Sequence, residues 1–314
     1  MKPIYQNKLL YPEIIWERPV HYYKSKAGRI LVIAGSRGMA GAALLTCEAA
    51  FRSGTGMVTL AFPEELKDSF AGILPEAMTL ALPQTHSGSL AKKAFPQIIE
   101  QVKSSDLVII GPGISTNTET VQLVWQILQE VSIPLVVDAD ALKALAYGIE
   151  IIRSKEGVMG IEKYFNSMNK SLILTPHPGE AAKIITAFGE KNNLKKADYI
   201  EKHKIEATKA IYNKVNSLIV LKGHETNIYN GKEFIIDKVG GPELATAGSG
   251  DVLSGIIGTF VAQNPKKIFK ATITAVYLHS LAGKKAKESS NERSVTASDI
   301  IRFLPKAIKE SEAS

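Results

Sequence analysis

The chain of 314 residues contains a single cysteine, Cys47, which excludes an intrachain disulfide and makes a cytoplasmic location the expectation. Cys47 lies among alanines and leucines, a setting typical of a small core residue rather than a nucleophile. No apolar run approaches the roughly 20 residues needed to span a bilayer, so no membrane partner is expected. The first residues also lack the apolar stretch of a signal peptide.

Long basic runs are missing as well. Lys and Arg (38) exceed Asp and Glu (31), giving a net charge of +7, but the basic residues are scattered and no nucleic-acid-binding motif accompanies them. A nucleic acid partner is therefore not expected, although a basic balance suits a small anionic ligand.

Short apolar runs alternate with helical stretches, which predicts an α/β fold with a mainly parallel sheet and helices on both faces. The predicted strands are 29–34, 57–62, 106–110, 134–137, 171–174 and 217–221. Asn230-Gly231 predicts a two-residue hairpin turn, and two helices are predicted after it, from about residue 266. No linker interrupts the pattern, so residues 28–314 are expected to form one domain behind an N-terminal arm, 1–27.

Five predicted strands end in loops that contain Gly, Pro, Asp or His. Ligands of open parallel sheets lie at the carboxyl ends of strands, so these loops should meet at one cleft. Asp138 and Asp140, two residues apart after one strand, are expected to point the same way, and either cap the loop or help to hold Mg²⁺ through water. His177, between Pro176 and Pro178, is expected to be stiffly held and to touch ligand.

The stretch 240–255 is a glycine-rich turn that leads into a helix, because apolar residues recur at helical spacing beyond it. Gly248, Ser249 and Gly250 therefore lie at a helix N-terminus, where free N–H groups and the helix dipole favour a bound anion. Asp251 in the first turn is either a capping carboxylate or a base beside a bound phosphate.

Residues 245–255, Ala-Thr-Ala-Gly-Ser-Gly-Asp-Val-Leu-Ser-Gly, resemble the signature of the ribokinase-like superfamily, and most closely its ADP/ATP-dependent NAD(P)H-hydrate dehydratases. GMAGAA (38–43), TPHPGE (175–180) and KGHET (222–226) resemble motifs of the same family, and the resemblance covers roughly residues 28–310. It implies a three-layer ribokinase-like sandwich and a lyase (hydro-lyase) that acts on a nicotinamide nucleotide.

The resemblance also implies roles for individual residues. The turn of Gly248, Ser249 and Gly250 would form an anion hole for the transferred phosphoryl group, with Asp251 as the base. Substrate contacts would come from Ala42 (or Ala43), Gly113, His177 and Asp251. Adenine-nucleotide contacts would come from Lys222, Gly223, His224, Glu225, Thr226 and Gly250, and metal contacts from Glu180 and Asp138.

Two departures from the family accompany the match. Gly241-Pro242-Glu243 stands where the family has Asn-Pro-Gly, and 143–174 is longer than expected, so 148–170 is predicted to be an inserted surface loop or short helix. The family often carries an N-terminal epimerase domain, which 27 residues cannot encode, so only the dehydratase is expected here. A homo-oligomer, by resemblance a tetramer, is also expected.

The implied reaction repairs hydrated NADH or NADPH (NADHX or NADPHX, S epimer): ADP or ATP, with Mg²⁺, phosphorylates the ring hydroxyl, and phosphate is then eliminated. The same anion hole and Asp251 would serve a ribokinase-like kinase of a vitamin-like alcohol, which is the alternative. A nucleotide-binding regulator without turnover is a third possibility, against which the presence of Asp251 argues.

Overall fold

The computed structural model describes residues 2–16, 18–70, 72–167, 171–190 and 193–312. Its strands are β1 (Ile4–Gln6), β2 (Arg29–Ile33), β3 (Met57–Pro63), β4 (Met78–Leu82), β5 (Leu107–Ile110), β6 (Leu135–Val137), β7 (Leu172–Leu174), β8 (Leu218–Leu221), β9 (Asn227–Tyr229) and β10 (Phe234–Asp237). Its α-helices are α1 (Ala40–Arg52), α2 (Lys67–Phe70), α3 (Phe95–Val102), α4 (Thr118–Glu130), α5 (Ala139–Ser167), α6 (Pro178–Ala187), α7 (Ala197–Lys202), α8 (Lys204–Val215), α9 (Ser249–Gln263), α10 (Ile268–Ser289) and α11 (Ala297–Glu312).

These strands form one sheet in the order β1-β10-β9-β8-β7-β6-β5-β2-β3-β4. Neighbouring strands run parallel except where β9 pairs with β8 and β10. The sheet is buried on both faces, which is why its central strands are almost continuously apolar. Alternate residues of β2 supply the two cores, Ile30 and Val32 one, Leu31 and Ile33 the other. The first core is closed by α1, α9, α10 and α11, the second by α3, α4, α5, α6 and α8.

The six predicted strands are confirmed as β2, β3, β5, β6, β7 and β8, and the two C-terminal helices as α10 and α11. The hairpin forms, but its turn differs from the predicted Asn-Gly pair. Tyr229 is opposite Phe234, and the Asn230 side chain accepts hydrogen bonds from the backbone of Lys232 (2.9 Å) and Glu233 (2.7 Å). Because Asn230 closes the turn with its side chain, the bend is displaced toward Gly231 and Lys232.

The N-terminal arm adds β1 to the edge of the sheet, parallel to β10. The buried Gln6 amide donates to the Asp237 carboxylate at 2.9 Å. The predicted insertion is mostly helical: α5 continues to Ser167 with a break at Gly157 (φ 68°), and Tyr164 packs edge-on against Trp125. Residues 168–170 of that prediction lie outside the described part of the chain. Within the described ranges, no helix is both long and apolar enough to cross a membrane.

Candidate active site

A cavity of about 650 Å³ lies at the carboxyl ends of β6, β7 and β8, against the start of α9. The loops after those strands reach it, as expected for an open parallel sheet. Its lining includes Asp138, His177, Glu180, Lys222, His224, Glu225, Thr226, Asp237, Thr246, Ser249, Asp251 and His279.

A buried ion pair in the lining of the cavity joins the loops that follow β6 and β8. Lys222 Nζ lies 2.6 Å from Asp138 Oδ1, and Ser254 on α9 donates to Asp138 Oδ2 at 2.8 Å. A Cβ added to Gly250 would lie 3.1 Å from Lys222 Nζ, so the ammonium group rests against the first turn of α9. The positive charge and the helix N-terminus therefore face the same space.

Asp251 lies beside that pair and is not used as a helix cap. In the described structure its carboxylate makes no hydrogen bond to the first-turn amides of α9, whose N-cap is Gly248. Burial raises the pKa of Asp251 to about 7, helped by the negative charge of Asp138 and opposed by Lys222. A carboxylate with such a pKa can exchange a proton near neutral pH, as a general base must.

The backbone at the start of α9 supplies fewer free donors than its sequence suggests. Ser249 N–H donates to the Thr246 carbonyl at 3.2 Å, and the Ser249 hydroxyl lies 3.1 Å from His279 Nε2. Ser249 N–H is thus already engaged, whereas Gly250 and Asp251 N–H have no backbone partner in the described chain. Gly248 adopts φ 86°, and an added Cβ would press on Leu45 of α1, so glycine is required there.

Asp138 and Asp140 do not share one direction, contrary to the expectation from strand alternation. The strand ends at Val137, and Ala139 turns the chain with φ 48°. Asp138 therefore meets Lys222, while Asp140 accepts from Ser115 N at 2.9 Å and pairs with Lys143 at 2.7 Å. Asp140 ties the loop after β5 to the start of α5, so of these two aspartates only Asp138 lines the cavity.

His177 and Glu180 form a capping box at the start of α6. His177 Nδ1 accepts from Gly179 N at 3.0 Å, and Glu180 accepts from His177 N at 2.9 Å. The ring's Nε2 lies 3.3 Å from Glu180 Oε1. Burial lowers the pKa of His177 and raises that of Glu180 to about 7. The prediction of a stiff His177 at the cleft fits this geometry, and about half of its side chain stays exposed.

The loop Lys222–Thr226 forms one wall of the cavity and has a special backbone. Gly223 has φ 118° and Glu225 has φ 58°. The second of these is uncommon for a residue with a side chain and must be held by neighbours.

The predicted substrate contacts Ala42 and Gly113 lie together outside this cavity, where the loop after β5 meets α1. A Cβ on Gly113 would lie 3.2 Å from Ala42 Cβ, and Ser36 Oγ donates to the Gly113 carbonyl at 2.7 Å. Ala42 is partly exposed whereas Ala43 is fully buried, so of the two only Ala42 has surface to offer a ligand.

A family model for NAD(P)H-hydrate dehydratases matches residues 30–306. The chain belongs to the NAD(P)H-hydrate dehydratase family. It is 31% identical to an ADP-dependent (S)-NAD(P)H-hydrate dehydratase of Neisseria meningitidis, over 91% of this chain and 86% of that protein. It is 35% identical to a bifunctional NAD(P)H-hydrate repair enzyme of Moorella thermoacetica, over 92% of this chain but 51% of that protein. The chain thus spans about half the length of its bifunctional relatives.

A solved structure agrees with the fold. A ribokinase-like superfamily protein of Enterococcus faecalis superimposes with a TM-score of 0.75 at 25% identity, covering 99% of this chain and 96% of that one. The ribokinase-like α/β sandwich expected from the signature is therefore confirmed.

The sequence did not indicate two residues that hydrogen-bond to polar groups lining this dehydratase-family cavity. Ser254, which fixes Asp138, stands within the signature, and its polar side chain among apolar helix residues was an available signal. His279 is buried against Ser249, and burial lowers its pKa to about 4, so it stays neutral. No sequence signal placed His279 at the cavity.

Proposed function

We propose that the protein catalyses the ADP- or ATP-dependent dehydration of hydrated NADH or NADPH. The observation that carries the proposal is the convergence, in one cavity, of Asp251, Lys222 and the open N–H groups of α9. A base, a fixed positive charge and an anion-binding helix end are the groups that phosphoryl transfer to a hydroxyl requires.

In the proposed reaction, Asp251 accepts the proton of the ring hydroxyl as the hydroxyl oxygen attacks the terminal phosphoryl group of the donor. Lys222 and the N–H groups of Gly250 and Asp251 stabilise the charge on the transferred phosphoryl oxygens. The electron pair of the ring nitrogen then expels phosphate as the C–O bond breaks, which leaves an iminium ion. Loss of a proton from the adjacent ring carbon to solvent re-forms the carbon–carbon double bond. ADP becomes AMP, and the hydrated nucleotide becomes NAD(P)H plus phosphate.

Glu180 and Asp138 are the carboxylates that could serve Mg²⁺. The described residues contain no group of three or more His, Cys, Asp or Glu side chains able to hold a metal. Among the described residues, Glu180 is buried and has its close ionisable contact with His177 rather than with a lysine or arginine, so its carboxylate suits a hydrated cation, whereas Asp138 is engaged by Lys222. Mg²⁺ keeps several waters and binds donor phosphates, which one or two carboxylates suffice to support. When bound, it would neutralise charge on those phosphates.

The remaining assignments follow the same proposal. Ala42, Gly113 and His177 contact the hydrated nucleotide, and the loop Lys222–Thr226 contacts the donor. A cytoplasmic homo-oligomer stays a prediction.

The proposal is tested by incubating NADHX or NADPHX with the protein and following recovery of the reduced-nicotinamide absorbance, with ADP, with ATP and with neither. Recovery that requires a nucleotide and is lost in Asp251→Asn is the expected result. If the protein ignores the hydrates but phosphorylates a pyrimidine or thiazole alcohol, the kinase alternative is correct.

A further inference from the structure

Lys204, the first residue of α8, lies behind the loop Lys222–Thr226, on the side away from the main cavity. Its side chain is buried, with 7% of the residue exposed. Nζ donates to the His224 carbonyl at 2.6 Å and to the Glu225 carbonyl at 2.8 Å. Burying an ammonium group costs free energy unless the group makes hydrogen bonds. The Lys204 ammonium group can therefore stay buried under this loop only while both carbonyl groups accept hydrogen bonds from it.

The neighbouring residues hold the same loop from other directions. Glu201, at the end of α7, accepts from His224 N at 3.2 Å. With its amide oriented to satisfy both partners, Asn227 donates to the Glu225 carbonyl at 3.0 Å and accepts from Ile205 N at 3.2 Å. Lys204, Glu201 and Asn227 therefore hydrogen-bond to the backbone of His224 and Glu225. Together they bind the His224 N–H group and the carbonyl groups of both residues.

These hydrogen bonds explain how the loop keeps an unusual conformation. Glu225 at φ 58° is unfavourable for a residue with a side chain, and such a backbone persists only where surrounding contacts fix it. Lys204 does not line the main cavity but binds the carbonyls of His224 and Glu225, two residues of the segment 223–226 that does line it.

We propose that Lys204 is a positioning residue for the donor nucleotide, acting with Glu201 as a clamp that holds the loop Lys222–Thr226 in its nucleotide-binding shape. The inference rests on the proposed assignment of this loop to the donor. It predicts that residues which never touch the nucleotide set its affinity and leave affinity for the hydrated dinucleotide unchanged.

The test is calorimetric titration of ADP, and of ATP, into Lys204→Met without any hydrate present. Loss of two hydrogen bonds from a charged group should weaken nucleotide binding about tenfold or more. Lys209→Met is the matched control, because Lys209 is on the same helix and lies over the Phe234 ring. It should bind nucleotide as the wild type does. In steady-state assays, Lys204→Met should raise the KM for the donor and leave the KM for NADHX near the wild-type value.

A folded Lys204→Met that binds nucleotide like the wild type overturns the clamp. If that variant does not fold, Glu201→Ala decides, since Glu201 is exposed and its loss should weaken ADP binding by about twofold to tenfold. An unchanged affinity in Glu201→Ala then overturns the clamp too. If the wild type binds ADP, Lys204→Met weakens that binding and the wild type does not turn over NADHX, the proposed reaction is wrong and the clamp stands. If the wild type binds neither ADP nor ATP, both the proposed reaction and the clamp are overturned.

Discussion

Asp251 shows how burial and neighbouring charge change what a carboxylate can do. At the N-terminus of α9 an aspartate would ordinarily be ionised and cap the helix, yet burial and the neighbouring Asp138 raise the pKa of this side chain to about 7. Its proton affinity is thereby matched to the pH of a cell. That match is useful to a base and has no value for a cap.

The pH dependence of turnover follows from this pKa. A base acts in its unprotonated form, so turnover should be full above about pH 7 and fall about tenfold per pH unit below it. Asp251→Asn should lose about 10²–10⁴-fold in rate at pH 8 while still binding ADP. Rates measured from about pH 5 to pH 9 with saturating substrates check this. A rate that stays constant down to pH 5 would contradict a role for Asp251 as a base with a pKa of about 7.

The pair Lys222–Asp138 differs from a surface ion pair because Asp138 is 1% exposed. Removing one partner leaves the other charge buried alone, which typically costs about 3–5 kcal/mol of unfolding free energy. Lys222→Met and Asp138→Asn should each be destabilised on that scale. The double variant should be more stable than the sum of the two losses predicts.

Urea denaturation of the wild type, both single variants and the double variant measures this coupling. Strictly additive losses would mean that the two groups do not stabilise each other. Because Lys222 also faces Gly250, Lys222→Met should bind the donor nucleotide more weakly as well. The double variant should regain part of the stability but should not regain the affinity for the donor nucleotide.

At the scale of the element, His177 has two functions at the start of α6. His177 caps the helix through Nδ1 and also lines the cavity. Asparagine is also a good N-cap, so His177→Asn should keep the helix end, whereas His177→Ala should lose about 1 kcal/mol of stability. Both should raise the KM for NADPHX by about two- to 150-fold, with the donor KM near normal.

Thermal unfolding and steady-state kinetics on the two variants separate these tasks. If His177→Asn keeps the wild-type KM for NADPHX, His177 is a cap alone and the substrate assignment fails.

The glycines of helix α9 differ in what they contact: Gly255 packs tightly against α1, whereas Gly250 faces Lys222. A Cβ on Gly255 would overlap the Thr46 carbonyl and lie 2.9 Å from Ala49 Cβ, so the two helices would have to separate. Gly255→Ala should therefore destabilise the protein by about 1–3 kcal/mol. The nearest atom to a Cβ on Gly250 would be Lys222 Nζ, 3.1 Å away, at the flexible end of that side chain.

Gly250→Ala is the matched control, because its methyl group would enter the space proposed for the phosphoryl group rather than a helix interface. It should keep wild-type stability and lose turnover, whereas Gly255→Ala should lose stability first. Unfolding midpoints compared with rates at a temperature where both variants are folded check the distinction. The reverse pattern would contradict the placement of the anion site at Gly250.

At the scale of the whole molecule, the sequence predicted the central parallel sheet, because fully buried strands such as β5 are uninterrupted apolar runs. It did not predict β1 and β4, since β1 is short and four of the five β4 residues are at least partly exposed. Nor could it predict the pair Lys222–Asp138. Those residues are 84 positions apart, and only the strand order β6-β7-β8 brings the ends of their two strands to the same part of the sheet edge.

The central claim is that the ring hydroxyl itself attacks the phosphoryl group and leaves as part of phosphate. NADHX carrying a heavy oxygen isotope in its ring hydroxyl tests this directly. After turnover with ADP, mass spectrometry of the released phosphate should show one labelled oxygen in each phosphate, because the C–O bond breaks after the P–O bond forms. Unlabelled phosphate with the label in water would contradict the account.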